Sequence, residues 1–256
     1  MLKNGKIRQR GDKMAKKKKK KRLKWGRVFI TFVFFIALGF GIYKGILFLF
    51  YNNSMNDNEP TLFEKLNQNY PTVIIDAGHG GIDAGAKNGK LYEKNITLIT
   101  SLAIGEALQR ENIRVYYTRT DDKPIDEDKQ TDLLARAKMS ETYYANCYVS
   151  IHVNDFAGSK NPTGFEIYTK KDEKSKELAQ TIGKYIENLN YSKNRGVLDG
   201  SELAVLRHNK AEAVLVELGY INGKDYDYLK NNQKLKYMGE EISKGIIEYL
   251  KKDIGQ

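Results

Sequence analysis

Three histidines, His79, His152 and His208, and two carboxylates, Glu93 and Glu217, are the residues of this 256-residue chain whose types and settings could do chemistry together. His79 lies in DAGHGGIDAGA, where the β-branched run TVIID enters a glycine-rich turn, and Gly78, Gly80 and Gly81 permit tight, positive-φ backbone around the imidazole. Glu93 opens a helical stretch, and His152 stands near the end of the apolar run CYVSIHV. Two imidazoles and one carboxylate match a His₂Glu set that can hold a catalytic zinc and leave a fourth position for water. Such chemistry needs another carboxylate to take a proton from the water and deliver it to a poor leaving group. Glu217 is the acid embedded in the otherwise apolar run AVLVEL, where an ionisable group is costly to bury without a partner or a task.

Each residue taken singly also has an ordinary structural role. A strand histidine is commonly a hydrogen-bonded core residue, and a glutamate in a first helical turn is favoured by the helix dipole. The dispersed order His, Glu, His is not a local motif of the H-E-x-x-H kind, and the glycine-rich turn carries neither G-x-G-x-x-G nor a terminal Gly-Lys-Ser/Thr, so a phosphate cradle is weakly supported. Cys147 is the one cysteine, which excludes an intramolecular disulfide and a multi-thiolate zinc site, and its apolar surroundings suit a core residue.

The elements that must position these groups follow from periodicity. Strands are expected at 72–76, 113–118, 147–153, 164–170 and 213–218, and helices at 93–111, 131–145, 172–189 and 233–251. Strands alternating with crossover-length helices predict an α/β sandwich around a mostly parallel or mixed sheet. In such sheets ligands bind beyond the carboxyl ends of strands, which is how residues far apart in sequence can converge.

Ahead of this domain the composition changes. Residues 1–27 carry 14 Lys or Arg against one acid, Asp12, so this tail is +13; the whole chain is +11, and the remainder is therefore −2. A near-neutral body lacks the basic face that DNA or RNA binding requires, and no nucleic-acid partner is expected. Residues 28–51 are apolar except for Thr31 and Lys44. As a helix they would rise ~36 Å, enough to span a hydrocarbon layer of ~30 Å. Trp25 suits an interfacial position, Lys44 can snorkel, and no small-x-small cleavage site follows, so a retained signal-anchor is expected rather than a cleaved leader. The positive flank places the N-terminus in the cytoplasm and everything after Tyr51 outside the cell membrane. Residues 52–70 read as a polar linker and 71–253 as the catalytic domain.

Six blocks in order, DAGHGGIDAGA, LYEKNITL, YVSIHVN, GFEIY, AVLR and AVLVELGYIN, closely resemble the N-acetylmuramoyl-L-alanine amidases of the zinc amidase type three family, over about residues 72–250. The resemblance implies a three-layer α/β/α sandwich around a twisted sheet of about six strands. It implies one zinc ion held by His79, Glu93 and His152, with Glu217 as the catalytic glutamate. The implied reaction is hydrolysis of the peptidoglycan amide between N-acetylmuramic acid and L-alanine. Ala77 stands where the family usually has proline and Tyr220 where phenylalanine is common. Some members carry an inserted helix over the metal; here 171–202 reads as one helix and a short loop ending in RGVLDG, so an open site is expected. His208 matches no family ligand, and Asn154 and Arg207 are left as candidates for facing substrate.

Overall fold

The computed structural model describes residues 70–156, 158 and 161–253, together with 41, 42 and 44. The chain divides into two units, Met1–Glu59 and Pro60–Gln256, and the architecture below is that of the second. The expected basic tail, membrane span and linker lie outside the described residues, apart from positions 41, 42, 44 and 70; among the described residues no helix is long and apolar enough to cross a membrane.

Six strands form one sheet: β1 (Thr72–Ala77), β4 (Arg114–Tyr117), β5 (Cys147–Asn154), β6 (Phe165–Thr169), β7 (Asn194–Asp199) and β8 (Glu212–Tyr220), in the order β4-β1-β5-β8-β6-β7. The strands from β4 to β8 in that order are parallel, β6 runs antiparallel to β8, and β7 is parallel to β6. β2 (Lys87–Asn88) and β3 (Leu91–Tyr92) make a separate small ribbon. The helices are α1 (Glu93–Arg110), α2 (Lys129–Thr142), α3 (Glu173–Glu187), α4 (Ala204–Arg207), α5 (Tyr226–Leu229) and α6 (Asn232–Asp253).

Both faces of the sheet are covered, which is why its central strands read as continuous apolar runs. The period of two sorts their side chains. Val73, Ile75, Val149, Ile151, Val214 and Val216 enter the larger core with Ile104 of α1, Ile182 of α3 and Ile242 of α6. Ile74, Tyr148, Ala213 and Leu215 enter a smaller core with Leu206 of α4 and, from α2, Leu133 and Met139. α6 approaches α1 and α3 closely because it presents glycine at the crossings: a Cβ on Gly239 would lie 2.8 Å from Ala103 Cβ, and one on Gly245 2.7 Å from Ile182 Cα. The result is the expected three-layer sandwich with a mixed sheet.

One expectation is corrected. Residues 194–199, read as loop, form edge strand β7. Only one of its faces meets the core, and Gly196 at φ +95° accompanies a register shift against β6, so NRGVLD lacks the apolar run or clean alternation that marks a strand.

After β1 the chain winds to β4 on one side and to β5 on the other, so the carboxyl ends of β1 and β5 flank a topological switch point, where α/β sheets bind ligands. Asp76 of β1, His152 of β5 and Glu217 of β8 all lie toward that end, and their parity places them on the α2/α4 face.

Candidate metal centre

His79 follows β1 in a turn that only unusual backbone can make. Its own φ is +63°, in the left-handed region that costs a non-glycine residue free energy and persists only where surroundings enforce it. Two buried arginines enforce it. Arg119 donates from Nε to the Ala77 carbonyl (2.9 Å) and from Nη2 to the Gly78 carbonyl (2.9 Å), while Arg136 donates from Nη1 to Ala77 (2.8 Å) and from Nη2 to His79 (2.9 Å). Arg136 is balanced by Asp76 (2.8 Å) and Asp132 (2.6 Å). Burial works against ionised Asp76, yet Arg136, Ser150 and Thr118 hold its carboxyl far below the usual carboxylate range.

Glu93, in the first turn of α1, reaches beneath the two imidazoles. Its Oε1 accepts from His152 Nδ1 (2.9 Å) and the Val153 backbone N–H (2.9 Å). Its Oε2 accepts from the Ala86 backbone N–H (2.8 Å) and lies 3.1 Å from His79 Nε2. Burial alone would favour the neutral acid, but these contacts keep Glu93 ionised far below its ordinary value. In return, although burial pulls His152 down, Glu93 holds that imidazole up at about 9. His79 Nδ1 lies 3.1 Å from Asp83 Oδ1, at ion-pair distance but without hydrogen-bond alignment.

The ring centroids of His79 and His152 are 5.0 Å apart at 74°, and one donor atom from each of His79, Glu93 and His152 falls within 4.8 Å of the others. Among the described residues this is the cluster of histidine and acid side chains able to hold a metal ion. Glycine makes room for it. A Cβ on Gly78 would sit 2.4 to 2.8 Å from three ring atoms of His152, and one on Gly85 would sit 2.5 Å from Glu93 Oε2 and 2.7 Å from His79 Cδ2. An ionised carboxylate between two imidazoles, with side chains of both histidines 19% exposed, fits a divalent cation that takes the place of the shared protons.

Glu217 is paired in register with His152 across β5 and β8. Its Oε2 is buried and has no hydrogen-bond partner among the described residues, and burial pushes its pKa up to about 7, with the charges of His152, Glu93 and Glu166 also felt. Of the five residues singled out from the sequence, His79, Glu93 and His152 thus cluster, and Glu217 is paired beside His152 at the same strand ends. His208 is exposed, lies beside Arg207 and is not a member of the cluster. Arg207 pairs with Glu202 on the surface, and Asn154 donates to Glu166 (3.1 Å). Cys147 is fully buried and burial pushes its thiol up, as suits a core residue. The sequence reading missed Arg119, Arg136 and Asp76; Asp76 and Arg136 are polar residues inside a strand and a helix, and Arg119 lies in the loop after β4, where a charged residue is unremarkable.

Comparison with known proteins is consistent with this geometry. The chain is 34% identical over 182 residues to the probable cell wall amidase LytH of Staphylococcus epidermidis, a match covering 70% of this chain and 58% of that one. Its fold superposes on the N-acetylmuramoyl-L-alanine amidase AmiC2 of Nostoc punctiforme with a TM-score of 0.65 at 31% identity, over 71% of this chain and 97% of that one. It superposes on the CwlD amidase of Clostridioides difficile, solved in complex with the GerS lipoprotein, with a TM-score of 0.66 at 31% identity, over 72% and 100%. The family profile described as N-acetylmuramoyl-L-alanine amidase matches residues 73–248, and the chain belongs to that family.

Proposed function

We propose that this chain is a zinc-dependent hydrolase of peptidoglycan that cuts the amide between the lactyl carboxyl of N-acetylmuramic acid and the amine of L-alanine. The observation that carries the reading is the convergence of His79, Glu93 and His152 beside Glu217, whose buried Oε2 has no partner among the described residues. Family membership supports the bond assignment.

His79, Glu93 and His152 would hold the ion, which when bound supplies Lewis acidity toward a carbonyl oxygen and a water. Without the ion, Glu93 lies against both imidazoles through its two oxygens, which keeps the three side chains gathered at one point. Glu217 accepts the proton from the attacking water and returns it to the departing nitrogen. The water oxygen bonds to the lactyl carbonyl carbon, the C–N bond breaks, and the products are a lactyl carboxyl on the glycan and a free L-alanine amine on the peptide. A carboxyl raised to about 7 suits both halves of this shuttle near neutral pH.

Between α3 and β8 the described chain supplies β7 and the single-turn α4 and no further helix, and both histidines reach the surface, which supports a site open without an activator. A lipoprotein partner belongs to the solved CwlD complex; here the purified domain is expected to act alone, and inertness until a second protein is added would contradict this. Placement outside the cell membrane, with 28–51 as anchor, rests on the sequence of 1–51 alone.

Digestion of purified sacculi by residues 52–256 tests the reading. Mass analysis should find free stem peptides beginning at L-alanine, only with metal present and Glu217 intact. Fragments cut within the stem peptide would instead identify a zinc peptidase, and no release in any arm would leave a peptidoglycan-binding protein.

A further inference from the structure

A second carboxylate lies beside the proposed reaction centre. Glu166 of β6 is paired in register with Glu217 of β8, so the two side chains share one face of the sheet. Glu166 is buried, at 3% exposure, and both its oxygens are occupied: Oε1 accepts from the Tyr220 hydroxyl (3.0 Å) and from Arg195 Nε, and Oε2 from the Tyr168 hydroxyl (2.9 Å) and Asn154 Nδ2 (3.1 Å). With four donors fixed on it, Glu166 is a standing anion without spare capacity for a proton.

What it holds is Arg195, on edge strand β7. The aliphatic stem of Arg195 lies over Gly164, where a Cβ would come within 2.2 Å of its Cδ, and its guanidinium carbon stands 5.7 Å from the Tyr220 ring centroid. The side chain is nevertheless 44% exposed, and only Nε is engaged: Nη1 and Nη2 have no hydrogen-bond partner among the described residues. Ordering a long side chain on an edge strand costs rotamer entropy that a single surface ion pair recovers poorly. An arginine seated on glycine, close to a tyrosine ring and tied through Nε keeps its two terminal nitrogens free, which is the arrangement that receives a carboxylate through two hydrogen bonds.

We propose that Arg195 determines specificity in the amidase reaction by binding a carboxylate of the stem peptide, on the leaving-group side of the cleaved amide. The assignment rests on the amidase reading above. Its chemical basis is that the carboxyl of muramic acid is consumed in the very amide that is cut, so the carboxylates near that bond lie on the peptide. The opposite flank supports the same orientation. The groove running from His79 is lined by Asp83, Asp126, Glu127, Lys129 and Asp132; Asp132 is paired with Arg136 (2.6 Å) and Lys129 stands 3.5 Å from Asp83, so Asp126 and Glu127 leave the groove net negative and unfavourable to an anionic peptide. The peptide therefore extends from Glu217 toward β6 and β7, and the glycan lies on the side of β1.

The test compares the full chain, loaded with zinc, on glycan strands whose stem peptides carry either a free carboxylate or a carboxamide on the residue after L-alanine. The wild type should favour the carboxylate by about tenfold or more in kcat/KM, the scale of one two-point ionic contact. Arg195→Gln should bring the ratio to within about twofold of one, mainly through KM, and Arg195→Lys should keep part of it because charge survives without the fork. A wild type that does not discriminate, or an Arg195→Gln variant that slows both substrates alike and leaves the ratio intact, overturns the assignment. Release of no stem peptide from either substrate by the wild type would instead mean that the amidase reading itself had failed.

Discussion

Glu217 is the residue on which the chemistry turns, and its setting makes a signed prediction. A general base must be ionised to begin, so kcat/KM should fall as pH drops through the Glu217 pKa. That pKa stands at about 7 without a metal, and a bound dication favours the charged form, so the acid limb should lie at or below that value. Glu217→Gln should leave metal affinity intact and lower turnover by about 10²- to 10⁴-fold, the usual contribution of a positioned acid-base group; a rate within a few-fold of wild type would remove the role. Asp76 makes a different prediction, about stability. Its carboxyl is held far below the ordinary range, with burial opposing and Arg136, Ser150 and Thr118 outweighing it. A depressed carboxylate stabilises the fold fully above its unfolded pKa and loses that contribution as pH falls toward its folded one. Asp76→Asn, which leaves Arg136 buried without this partner, should cost about 3–5 kcal/mol at pH 7 and flatten the loss of stability below about pH 4; urea unfolding at both pH values would show it. At this scale the sequence marked His79, His152 and Glu217 by their places in a glycine-rich turn or within apolar runs, while Glu93 passed for a first-turn acid until the family resemblance singled it out. The sequence concealed Arg119, Arg136 and Arg195, since an arginine in ARAKM or NRGV reads as a solvated cation until the fold places it beneath a turn or over a glycine.

The glycine-rich turn after β1 is the element that converts a strand end into a candidate metal site. Gly78 lies against the His152 ring, so Gly78→Ala must move either the turn or the imidazole. Metal affinity should fall by about tenfold or more, as when groups that orient a ligand are disturbed, while far-UV circular dichroism stays native; competition with a chromophoric chelator measures it. Helices and central strands were legible because burial on one or two faces imposes periods on them: α1, expected at 93–111, spans Glu93–Arg110, and the strand expected at 147–153 spans Cys147–Asn154. β7 was not, because an edge strand with a glycine at positive φ obeys neither period, and β2, β3, α4 and α5 are too short to show one. The element that carries Arg195 was thus the one sequence periodicity did not resolve.

Across the whole molecule, charge and apolar character are segregated: a +13 tail, an apolar stretch at 28–51, and a body near neutrality. The compact unit beginning at Pro60 contains both cores and all the proposed metal ligands, so removing residues 1–51 should leave the thermal midpoint of the domain within a few degrees of its value in the full chain and preserve release of stem peptides. The same truncation should free the protein from the cell surface, which fractionation checks. Architecture was readable from the alternation of apolar runs and amphipathic helices. The meeting of its strand ends was implied by family resemblance and is accounted for physically by the switch point between β1 and β5. The claim on which the rest depends is that His79, Glu93 and His152, separated by up to 73 positions in sequence, bind one metal ion between them. Zinc content of the purified chain tests it most directly: one ion per chain is expected, falling below about a tenth in each of His79→Ala, Glu93→Ala and His152→Ala with the fold retained. A chain that takes up no zinc when it is supplied, or that keeps a full complement after His152→Ala, would contradict it.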